Sequence, residues 1–488
     1  SVVEEHKVLP DYQFGFRPKR GVLQPLFVMR CLQDYSACHH TPVYAAFLDV
    51  SKAYDSVHQD TLFSICGRVG FSNDLVNLIR CLYDGAEYAV RTPQGLTSPV
   101  RACKGVKQGC PLSPLLFNLY TIPINEALLT RCSGVGVTCG GAFTPLRIMQ
   151  YADDIVLLAS TAANLQSILH VVEGVLQQLQ LQLSVTKSKV MVIMRRPYPK
   201  PVVYTASHQK LEVVDAFAYL GLSISANPVD TKAGRMMSAR LPSVSSAAYA
   251  FVATARTTGL HYHVPAYLHA MQTAVYGRCT FGAPIWGPKY LLPGVSLDSK
   301  FQQVINRVLR ALHRLPVSTP TWGMLLHYGC MPLQYHIFKH VLQFWNSAVH
   351  MDSRIISQAC HLACRLAPVF EGSWLAQLLK ACVVLHDEAD VNVPAFMRSP
   401  VELSWPVFAR ALHLFYKQHL QHTYCAVAPD HPDCPHRKHA VVCQWLHPLQ
   451  GRWASGSPVL QMSSIAYKQQ SLVSRFFTGS THVATSHH

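Results

Sequence analysis

Two adjacent aspartates, Asp153 and Asp154, stand between two short apolar runs. Apolar runs of this length on either side of a polar pair are typical of two strands joined by a tight turn. A carboxylate buried without a partner is strongly destabilising, so the pair must face solvent or a cation. Because the strands themselves belong in a core, the pair is held rigidly, as a site for a hard divalent cation requires. Adjacent aspartates also occur in ordinary turns, which is the alternative.

Length and composition limit the class of protein. A chain of 488 residues is too long for one hydrophobic core, so about two to four domains are expected. The net charge of +16 favours a polyanionic partner, nucleic acid before membrane. The 16 cysteines are scattered through apolar segments, which favours a reduced intracellular protein. No stretch of about 18 uninterrupted apolar residues occurs, so a transmembrane helix is not expected.

The apolar spacing predicts alternating helices and strands through about residue 222, an α+β or α/β sheet with packed helices. From residue 231 the pattern becomes helical and basic. Helices are predicted at 22–35, 60–69, 73–83, 111–130 and 165–179. Strands are predicted at 43–50, 87–91, 98–103, 189–194 and around 217–221, besides the hairpin that carries the aspartate pair.

A third carboxylate, Asp49, ends the apolar run that begins at Val43. In open sheets, ligands bind at the carboxyl ends of strands. If this strand lies beside the hairpin of Asp153 and Asp154, three carboxylates converge. Three such charges repel one another unless they share cations, so the arrangement predicts two Mg²⁺ ions about 3.5–4 Å apart, as used for in-line phosphoryl displacement.

Two further segments stand out by their glycines and cations. The segment 105–114 is a glycine-containing turn that leads into a predicted helix, so its backbone can approach a nucleotide. The segment 13–21 places Arg17, Lys19 and Arg20 among aromatic residues and glycines. We expect a loop that touches a phosphate backbone, with a solvated basic turn as the alternative.

Taken in order, these segments resemble the palm of reverse transcriptases, specifically those of non-LTR (LINE-type) retrotransposons. The resemblance covers roughly the first 225 residues. Each motif alone is weak to moderate evidence, whereas the occurrence of all of them in the family's order is strong evidence. Segment 13–21 resembles the LINE-type segment before motif A, and motifs A to E correspond to 47–55, 105–118, 151–154, 181–190 and 217–221. The resemblance implies an α+β fold: a right-hand polymerase palm with an antiparallel sheet, a helical thumb and a mostly helical C-terminal domain.

The resemblance also implies an activity, RNA-directed DNA polymerisation with two Mg²⁺ ions, in which a primer 3′-hydroxyl attacks the α-phosphate of a dNTP. It makes Asp49, Asp153 and Asp154 the metal ligands, with the carbonyl of Val50 as a further contact. Lys187 is the candidate that protonates the departing pyrophosphate. Lys189 is close enough in the sequence to dispute that role.

Residues around the nucleotide follow from the same resemblance. Tyr54 occupies the steric-gate position, where its ring would exclude a ribose 2′-hydroxyl; a core aromatic is the alternative. Gln108 and Gly109 would support the template–nucleotide pair. Asp55 is expected to be structural, because an extended strand would carry it about 20 Å from Asp49.

Nucleic-acid contacts are implied in three places, and they are mostly contacts to phosphate. They comprise Arg17, Lys19 and Arg20, then Tyr219, Leu220 and Gly221 in a segment like the primer grip, and finally Lys232, Arg235, Arg240 and Arg256 in the thumb. A plain β-turn is the alternative for the second group. The implied partners are an RNA template, a DNA primer, target DNA and dNTPs, in the nucleus or cytoplasm and without a membrane.

The expected domains are 1–225 for the palm with part of the fingers, 226–330 for the helical thumb and connection, and 331–488 for a mostly helical C-terminal region. The family's earlier finger motifs, which hold the incoming triphosphate, would precede Ser1. We therefore expect a truncated open reading frame or a fragment, which could be inactive by itself although its metal site is intact. Three alternatives stay open: a decayed relative that binds RNA without catalysis, a group II intron maturase, and a viral RNA-dependent RNA polymerase.

A Cys/His cluster near the C-terminus resembles the zinc knuckles of related LINE proteins. The candidate zinc ligands are Cys425, Cys434, His439 and Cys443. The first two cysteines are farther apart than the usual two to four residues. A solvated His-rich loop is the alternative.

Overall fold

The computed structural model describes residues 2–102, 104–195, 201–203, 208–227, 233–291, 299–389 and 412–416. The chain divides into two compact units. The first comprises Ser1–Asp230 and Met351–Trp374, and the second comprises Thr231–His350 and Leu375–His488. Residues 351–374, which the sequence groups with the C-terminal region, thus belong to the same unit as the N-terminal part.

All strands of the described residues lie in the first unit. In chain order they are β1 (Val43–Leu48), β2 (Val50–Ser51), β3 (Glu87–Tyr88), β4 (Arg91–Thr92), β5 (Gly95–Leu96), β6 (Val100–Arg101), β7 (Ile148–Tyr151), β8 (Asp154–Ala159), β9 (Gln182–Leu183), β10 (Lys189–Ile193), β11 (Glu212–Val213), β12 (Ala216–Tyr219) and β13 (Leu222–Ser225).

The helices occur in both units. Those of the first unit are α1 (Val2–Glu5), α2 (Leu23–His39), α3 (Gln59–Arg68), α4 (Asn73–Tyr83), α5 (Ser113–Tyr120), α6 (Ile122–Arg131) and α7 (Ala162–Gln178). Those from residue 233 onward are α8 (Ala233–Thr257), α9 (Val264–Met271), α10 (Gly277–Thr280), α11 (Ala283–Tyr290), α12 (Lys300–His313), α13 (Thr321–Tyr328), α14 (Leu333–Val349), α15 (Arg354–Leu366) and α16 (Trp374–Ala389).

The first unit is organised around a five-stranded sheet with the order β11-β10-β1-β8-β7. Strand β1 pairs antiparallel with both β8 and β10, and β7 and β8 form an antiparallel hairpin. Only the edge pair β10–β11 in this sheet is parallel. The predicted α+β fold, with an antiparallel sheet and packed helices, is confirmed.

Both faces of β1 are covered, since all six of its residues are buried. Tyr44, Ala46 and Leu48 belong to the core cluster that contains the apolar face of α7. On the opposite face the Phe47 ring stacks on Phe217 with 4.5 Å between centroids. Because side chains alternate along a strand, Asp49, one residue beyond β1, is directed to the side of Phe47.

The single long helix predicted for residues 111–130 is in fact two helices. Helix α5 ends at Tyr120 and α6 begins at Ile122, with Pro123 in the first turn of α6. Proline has no backbone N–H to continue the preceding helix, and its ring clashes with the turn before it. The apolar pattern runs on across the junction, so periodicity does not reveal the break.

The other predicted elements of the first unit occur close to their expected positions. Helices α3 and α4 match the predictions at 60–69 and 73–83. The predicted strand pair is present as two short ladders, β3 with β6 and β4 with β5. Helix α15 packs against α2, which explains why residues 351–374 belong to this unit.

The second unit is helical wherever the structure describes it. Helix α8 packs against α12, and α11 packs against α14. A five-residue π-helical turn at Gln272–Tyr276 follows α9. Across the described residues, none of the helices is both long and apolar enough to cross a bilayer.

Candidate active site

Asp49, Asp153 and Asp154 meet at one end of the central sheet. The last pair of the β1–β8 ladder is Leu48 with Ile155, so the next residue of each strand, Asp49 and Asp154, lies at the same end of the sheet. The charge of Asp49 acts on both Asp153 and Asp154, which shows that the three carboxylates are near one another. Asp153 occupies the turn between β7 and β8. The structure thus brings together three carboxylates that are distant in the sequence.

The charges of these carboxylates disturb one another. Loss of hydration, and then the charges of Asp153 and Asp49, raise the pKa of Asp154 to about 6. Burial raises the pKa of Asp153 as well, with Asp49 adding to the effect and a backbone hydrogen bond opposing it. A pKa raised by neighbouring carboxylates indicates an excess of negative charge. A divalent cation at this position would neutralise that excess.

The donor set fits Mg²⁺ in an open site. Among the described residues, no group of three His, Cys, Asp or Glu side chains, these three carboxylates included, is arranged to hold a metal ion by itself. Magnesium commonly takes one or two protein carboxylates and completes its octahedral shell with water and substrate phosphates. Asp153 and Asp154 are adjacent, and Asp154 is exposed, so a magnesium ion bound here could keep water and phosphate ligands. Val50, whose carbonyl is the further predicted ligand, lies in β2 opposite Leu183.

The hairpin that carries the aspartates is held by a segment far away in the sequence. The backbone N–H of Phe14 donates to the Gln150 carbonyl, and the N–H of Gln150 donates to the Tyr12 carbonyl, both at 2.8 Å. The side-chain Oε1 of Gln13 accepts from the N–H of Ala152 at 3.0 Å. Gln13 therefore forms an isolated parallel β-bridge with Gln150 of β7.

Gly15 completes this contact because no larger residue fits there. A Cβ at Gly15 would lie 2.4 Å from the backbone nitrogen of Ala152. The Gly15 N–H donates to Oε1 of Gln13 at 2.9 Å, and its carbonyl accepts from Nδ2 of Asn118 at 2.8 Å. We name Gln13, Gly15 and Asn118 the hairpin latch. The sequence interpretation missed it, although a glycine between two aromatic residues hinted at a close backbone approach.

Two of the cations in segment 13–21, Arg17 and Arg20, form ion pairs with carboxylates of the same unit. Arg17 is 8 % exposed and binds both carboxylate oxygens of Glu4, at 2.8 and 2.7 Å. Arg20 pairs with Asp11 at 2.8 Å. A buried cation requires such a partner, and this corrects the predicted phosphate-binding role of Arg17 and Arg20. Lys19 is exposed, so for Lys19 the prediction stands untested.

Tyr54 lies beside the carboxylates. Its ring stacks on Phe117 with 4.9 Å between centroids and an angle of 11°. Burial, and then the charge of Asp153, raise the pKa of Tyr54 to about 12. Within the described part of the chain, its buried hydroxyl has no hydrogen-bond partner. The ring is thus both packed and adjacent to the reactive end of the sheet.

The glycine-containing turn docks onto the segment that follows Asp49. The N–H of Gly105 donates to the Val57 carbonyl at 2.7 Å, and the N–H of Val106 donates to the Tyr54 carbonyl at 2.9 Å. Gly105 has φ +89°, and a Cβ there would lie 3.1 Å from the Asp55 carbonyl oxygen. Glycine is required because the backbones approach closely at a left-handed position.

Asp55 anchors the same turn from its side chain. Its Oδ1 accepts from Nε2 of Gln108 at 2.9 Å, so the Gln108 amide is engaged within the unit. Tyr54–Ser56 forms a short 3₁₀ helix, so the extended distance assumed for Asp55 is wrong. Its structural role rests instead on the bond to Gln108. Gly109 is exposed with φ +81°.

The two candidate lysines differ in their partners. Nζ of Lys187 lies 3.6 Å from Oδ2 of Asp49, and its side chain is 70 % exposed. Nζ of Lys189 binds Glu212 at 2.8 Å and the Thr186 carbonyl at 2.5 Å. Of the two, only Lys187 has its ammonium group at the carboxylates and open to a ligand.

The segment like the primer grip is a tight hairpin. Leu220 and Gly221, between β12 and β13, both have positive φ, 47° and 81°, as two-residue hairpin turns of the primed type require. Tyr219 is buried with its ring 5.4 Å from that of Phe47. Burial, and then Asp154, raise the pKa of Tyr219. Leu220 and Gly221 form the tip of the hairpin. Tyr219 lies in the core, close enough to Asp154 for the carboxylate to affect its pKa.

The remaining predicted residues lie in the second unit or outside the described residues. Arg240 donates to the backbone carbonyls of Phe281 and Arg278, each at 2.7 Å. Arg256 lines a cavity at the end of α8. Lys232, the side chain of Arg235, and the candidate zinc ligands Cys425, Cys434, His439 and Cys443 lie outside the described residues.

A helix-covered antiparallel sheet with three carboxylates at one end defines the palm of a nucleic-acid polymerase. The protein family described as "Reverse transcriptase (RNA-dependent DNA polymerase)" matches residues 1–224. Residues 1–224 thus resemble reverse transcriptases, and the curated relatives that the chain resembles are named as proteins of retrotransposable or mobile elements.

Several curated relatives resemble this chain over part of their length. A Pol polyprotein of the type-2 retrotransposable element R2DM of Drosophila melanogaster is 30% identical over 222 residues, covering 44% of this chain and 20% of the relative. A Pol polyprotein of the type-1 element R2 of Nasonia vitripennis is 25% identical over 65% of this chain and 30% of the relative. The polymerase of the mobile element jockey of Drosophila funebris is 29% identical over 32% of this chain and 16% of the relative. The chain thus spans less than a third of each.

Among solved structures, a telomerase from Candida tropicalis in complex with a fragment of telomeric RNA aligns with 72% of this chain and 51% of its own. The sequence identity is 11% and the TM-score is 0.33.

Proposed function

We propose that this protein is an RNA-directed DNA polymerase of a LINE-type retrotransposon. It extends the 3′-hydroxyl of a DNA primer along an RNA template, with dNTPs as substrates. Within this proposal, residues 1–225 are the palm and part of the fingers, and 226–330 are the helical thumb. Target DNA would supply the primer end.

The convergence of Asp49, Asp153 and Asp154 carries the proposal. The β1–β8 register and the β7–β8 turn gather them at one end of the sheet, and burial, followed by the charges of Asp153 and Asp49, raises the pKa of Asp154. These three residues would hold Mg²⁺. The bound ions would favour ionisation of the primer hydroxyl and stabilise charge on the phosphates.

The chain's own groups supply the rest of the chemistry. Lys187 would give a proton to the departing pyrophosphate; its exposed ammonium group beside Asp49 supports this role. The Tyr54 ring, held by Phe117, would stand against C2′ of the incoming sugar and exclude a 2′-hydroxyl. Gly109, at the exposed part of its turn, would approach the template–nucleotide pair.

Primer extension by the full chain tests the proposal. The assay uses an RNA template annealed to a labelled DNA primer, dNTPs and Mg²⁺. We expect the wild type to extend the primer and Asp153→Asn to lower the rate by at least about 100-fold, as loss of an electrostatic group at a reacting centre does.

Asp74→Asn is the matched control, because Asp74 is an exposed residue in the first turn of α4. It should extend the primer at the wild-type rate. Undiminished extension by Asp153→Asn would remove the metal-site assignment. RNA binding with no extension by the wild type would instead favour the alternative of a non-catalytic RNA-binding relative.

A further inference from the structure

The second unit is basic along a long stretch of its sequence. Between residues 233 and 350 there is a single acidic residue, Asp298. The basic residues of the same stretch are Arg235, Arg240, Arg256, Arg278, Lys289, Lys300, Arg307, Arg310, Arg314 and Lys339. The described ranges 233–291 and 299–350 therefore hold no carboxylate side chain that could neutralise a group of cations.

Four of these arginines line one cavity of about 430 Å³, namely Arg256, Arg307, Arg310 and Arg314. Arg256 stands in the last turn of α8. The other three lie at the C-terminal end of α12, which packs against α8. Residues three apart share one face of a helix, so Arg307 and Arg310 point to the same side, and Arg314, the left-handed C-cap of α12, lines the cavity beside them.

Helix dipoles compensate only part of this charge. The C-terminal ends of α8 and α12 each contribute about half a negative elementary charge, against about four positive charges on the guanidinium groups. Arg256 donates to the Ala311 carbonyl at 3.5 Å, and Arg310 donates to the Thr319 carbonyl at 2.9 Å. These bonds orient the two side chains but leave the cavity strongly positive.

Arg310 is the member of this group whose surroundings are least favourable for its charge. Its buried Nε has no hydrogen-bond partner among the residues that the structure describes. Burial, and then the charge of Arg307, lower the pKa of Arg310. Arginine still stays protonated at neutral pH. An anion in the cavity would satisfy the Nε donor and relieve the repulsion.

An aromatic crevice of about 90 Å³ adjoins the cavity. Arg307 and Ala311 line both spaces, and Tyr249 and Val252 line the crevice. Tyr249 is 65% exposed. An exposed ring beside a row of cations suits an unstacked base whose phosphates lie on the cations. The bases of a duplex are stacked on one another, so a duplex offers this ring no free face.

We propose that Tyr249, Arg256, Arg307, Arg310 and Arg314 form a binding site for single-stranded nucleic acid, with phosphates in the arginine cavity and a base against Tyr249. We name this group the arginine–tyrosine site. The inference rests on the proposed function for its class of ligand. It adds a contact for an unpaired strand, built from residues other than the three carboxylates.

The test measures binding of a fluorescein-labelled oligouridine of about 20 nucleotides to the full chain by fluorescence anisotropy, at salt from about 50 to about 300 mM. EDTA is present and dNTPs are absent, so failure of catalysis leaves the measurement unaffected. The double variant Arg307→Ala/Arg314→Ala should bind at least about tenfold more weakly. Its plot of log affinity against log salt should be shallower by about 1.4, because each phosphate contact on a single strand contributes about 0.7.

Tyr249→Ala removes the stacking surface and no charge. We expect oligouridine affinity to fall by about 5- to 100-fold with an unchanged salt slope. Binding of a labelled RNA duplex should stay at the wild-type value. An equal loss for duplex and single strand would overturn the assignment to an unpaired strand.

Arg278→Ala is the matched control, since Arg278 is an exposed arginine of α10 that does not line the cavity. It should keep the wild-type affinity within about twofold, as an exposed charge distant from the ligand does. Arg307→Lys/Arg314→Lys should keep the wild-type salt slope, and thermal melting verifies that each variant is folded. Wild-type affinity and slope in the folded alanine double variant would overturn the site.

Discussion

The side-chain oxygen of Gln13 accepts a hydrogen bond from the backbone N–H of Ala152 at 3.0 Å. Ala152 is held in a left-handed conformation, with φ 56°, immediately before Asp153. Such a conformation is unfavourable for a residue with a Cβ and persists only when its surroundings enforce it. The hairpin latch therefore sets the position of a carboxylate in the proposed metal site.

Replacing Gly15 with alanine should displace that carboxylate. The new Cβ would lie 2.4 Å from the Ala152 nitrogen, so the hairpin must shift. A misplacement of about 1 Å can reduce a rate by about 100-fold, and we expect a loss of this size in single-turnover primer extension. Gly21→Ala is the control, because the nearest atom to its Cβ is the flexible Gln24 side chain at 3.7 Å. Equal rates for the two variants would contradict the role of the latch.

Asp154→Asn should stabilise the fold while it abolishes polymerisation. The pKa of Asp154 is raised to about 6, above the ordinary value of an unfolded aspartate, so its charge at neutral pH is destabilising. Because the Asp154 side chain is exposed and solvent screens much of its interaction, we expect Tm in EDTA to rise by only about 2–4 °C, the shift that about 1 kcal/mol produces in a unit of this size. Calorimetry measures it, with Asp74→Asn as the reference. A lower Tm for Asp154→Asn would show that the carboxylate is not under repulsion.

Tyr54→Val should relax the choice of sugar. Removing the ring opens the space beside the carboxylates, and we expect the ratio of rNTP to dNTP incorporation to rise on the order of tenfold or more. Competition between labelled dNTP and rNTP measures the ratio. Tyr54→Phe is the matched variant, since it removes only a hydroxyl that has no partner within the described residues. It should keep the wild-type ratio; a change there would assign selectivity to the hydroxyl.

Lys187→Ala should lower the rate of primer extension, whereas Lys189→Ala should lower the stability of the fold. Lys187 stands at Asp49, and loss of a general acid lowers a rate by about 10²- to 10⁴-fold. Lys189 is tied to Glu212 and Thr186, so its loss should change the rate little and lower the stability. Rapid-quench extension and urea unfolding measure the two effects. A slow Lys189→Ala beside a normal Lys187→Ala would reverse the assignment.

Glu4→Gln should weaken the first unit in a pH-dependent way. The hydrogen bonds from Arg17 lower the pKa of Glu4 below its usual 4.5. A depressed folded-state pKa means that the stabilisation is fully present above about pH 4.5 and is lost as the pH falls through the lower folded value. We expect a loss of about 1–3 kcal/mol at pH 7, which shrinks at acid pH.

Urea unfolding of wild type and Glu4→Gln at several pH values provides this measurement. Glu87→Gln, at an exposed residue of β3, is the reference and should change little at any pH. A difference between wild type and Glu4→Gln that stays constant down to acid pH would show that the carboxylate charge does not contribute.

Local patterns were sufficient for the elements that carry the site. The apolar run before Asp49 and the runs around Asp153 and Asp154 predicted strands that end in carboxylates, since strand propensity and alternation are properties of neighbouring residues. The break between α5 and α6 escaped the same method because the apolar pattern continues across it. The sequence pattern also predicted a phosphate contact for Arg17 and Arg20, whose side chains form ion pairs within the unit. A local pattern does not distinguish an exposed arginine from a buried, paired one.

The sequence by itself indicated most of the strands and helices that carry the site, named the residues expected to bind metal, and made a polyanion the expected partner. Only the tertiary structure decided that Asp49 lies at the same end of the sheet as Asp154, that Gln13 and Gly15 hold the turn at Ala152, and that Lys187 rather than Lys189 reaches the carboxylates. Each of these joins residues distant in the chain. Such contacts depend on strand register and on how side chains pack against one another in the core. Neither can be predicted from the pattern of neighbouring residues.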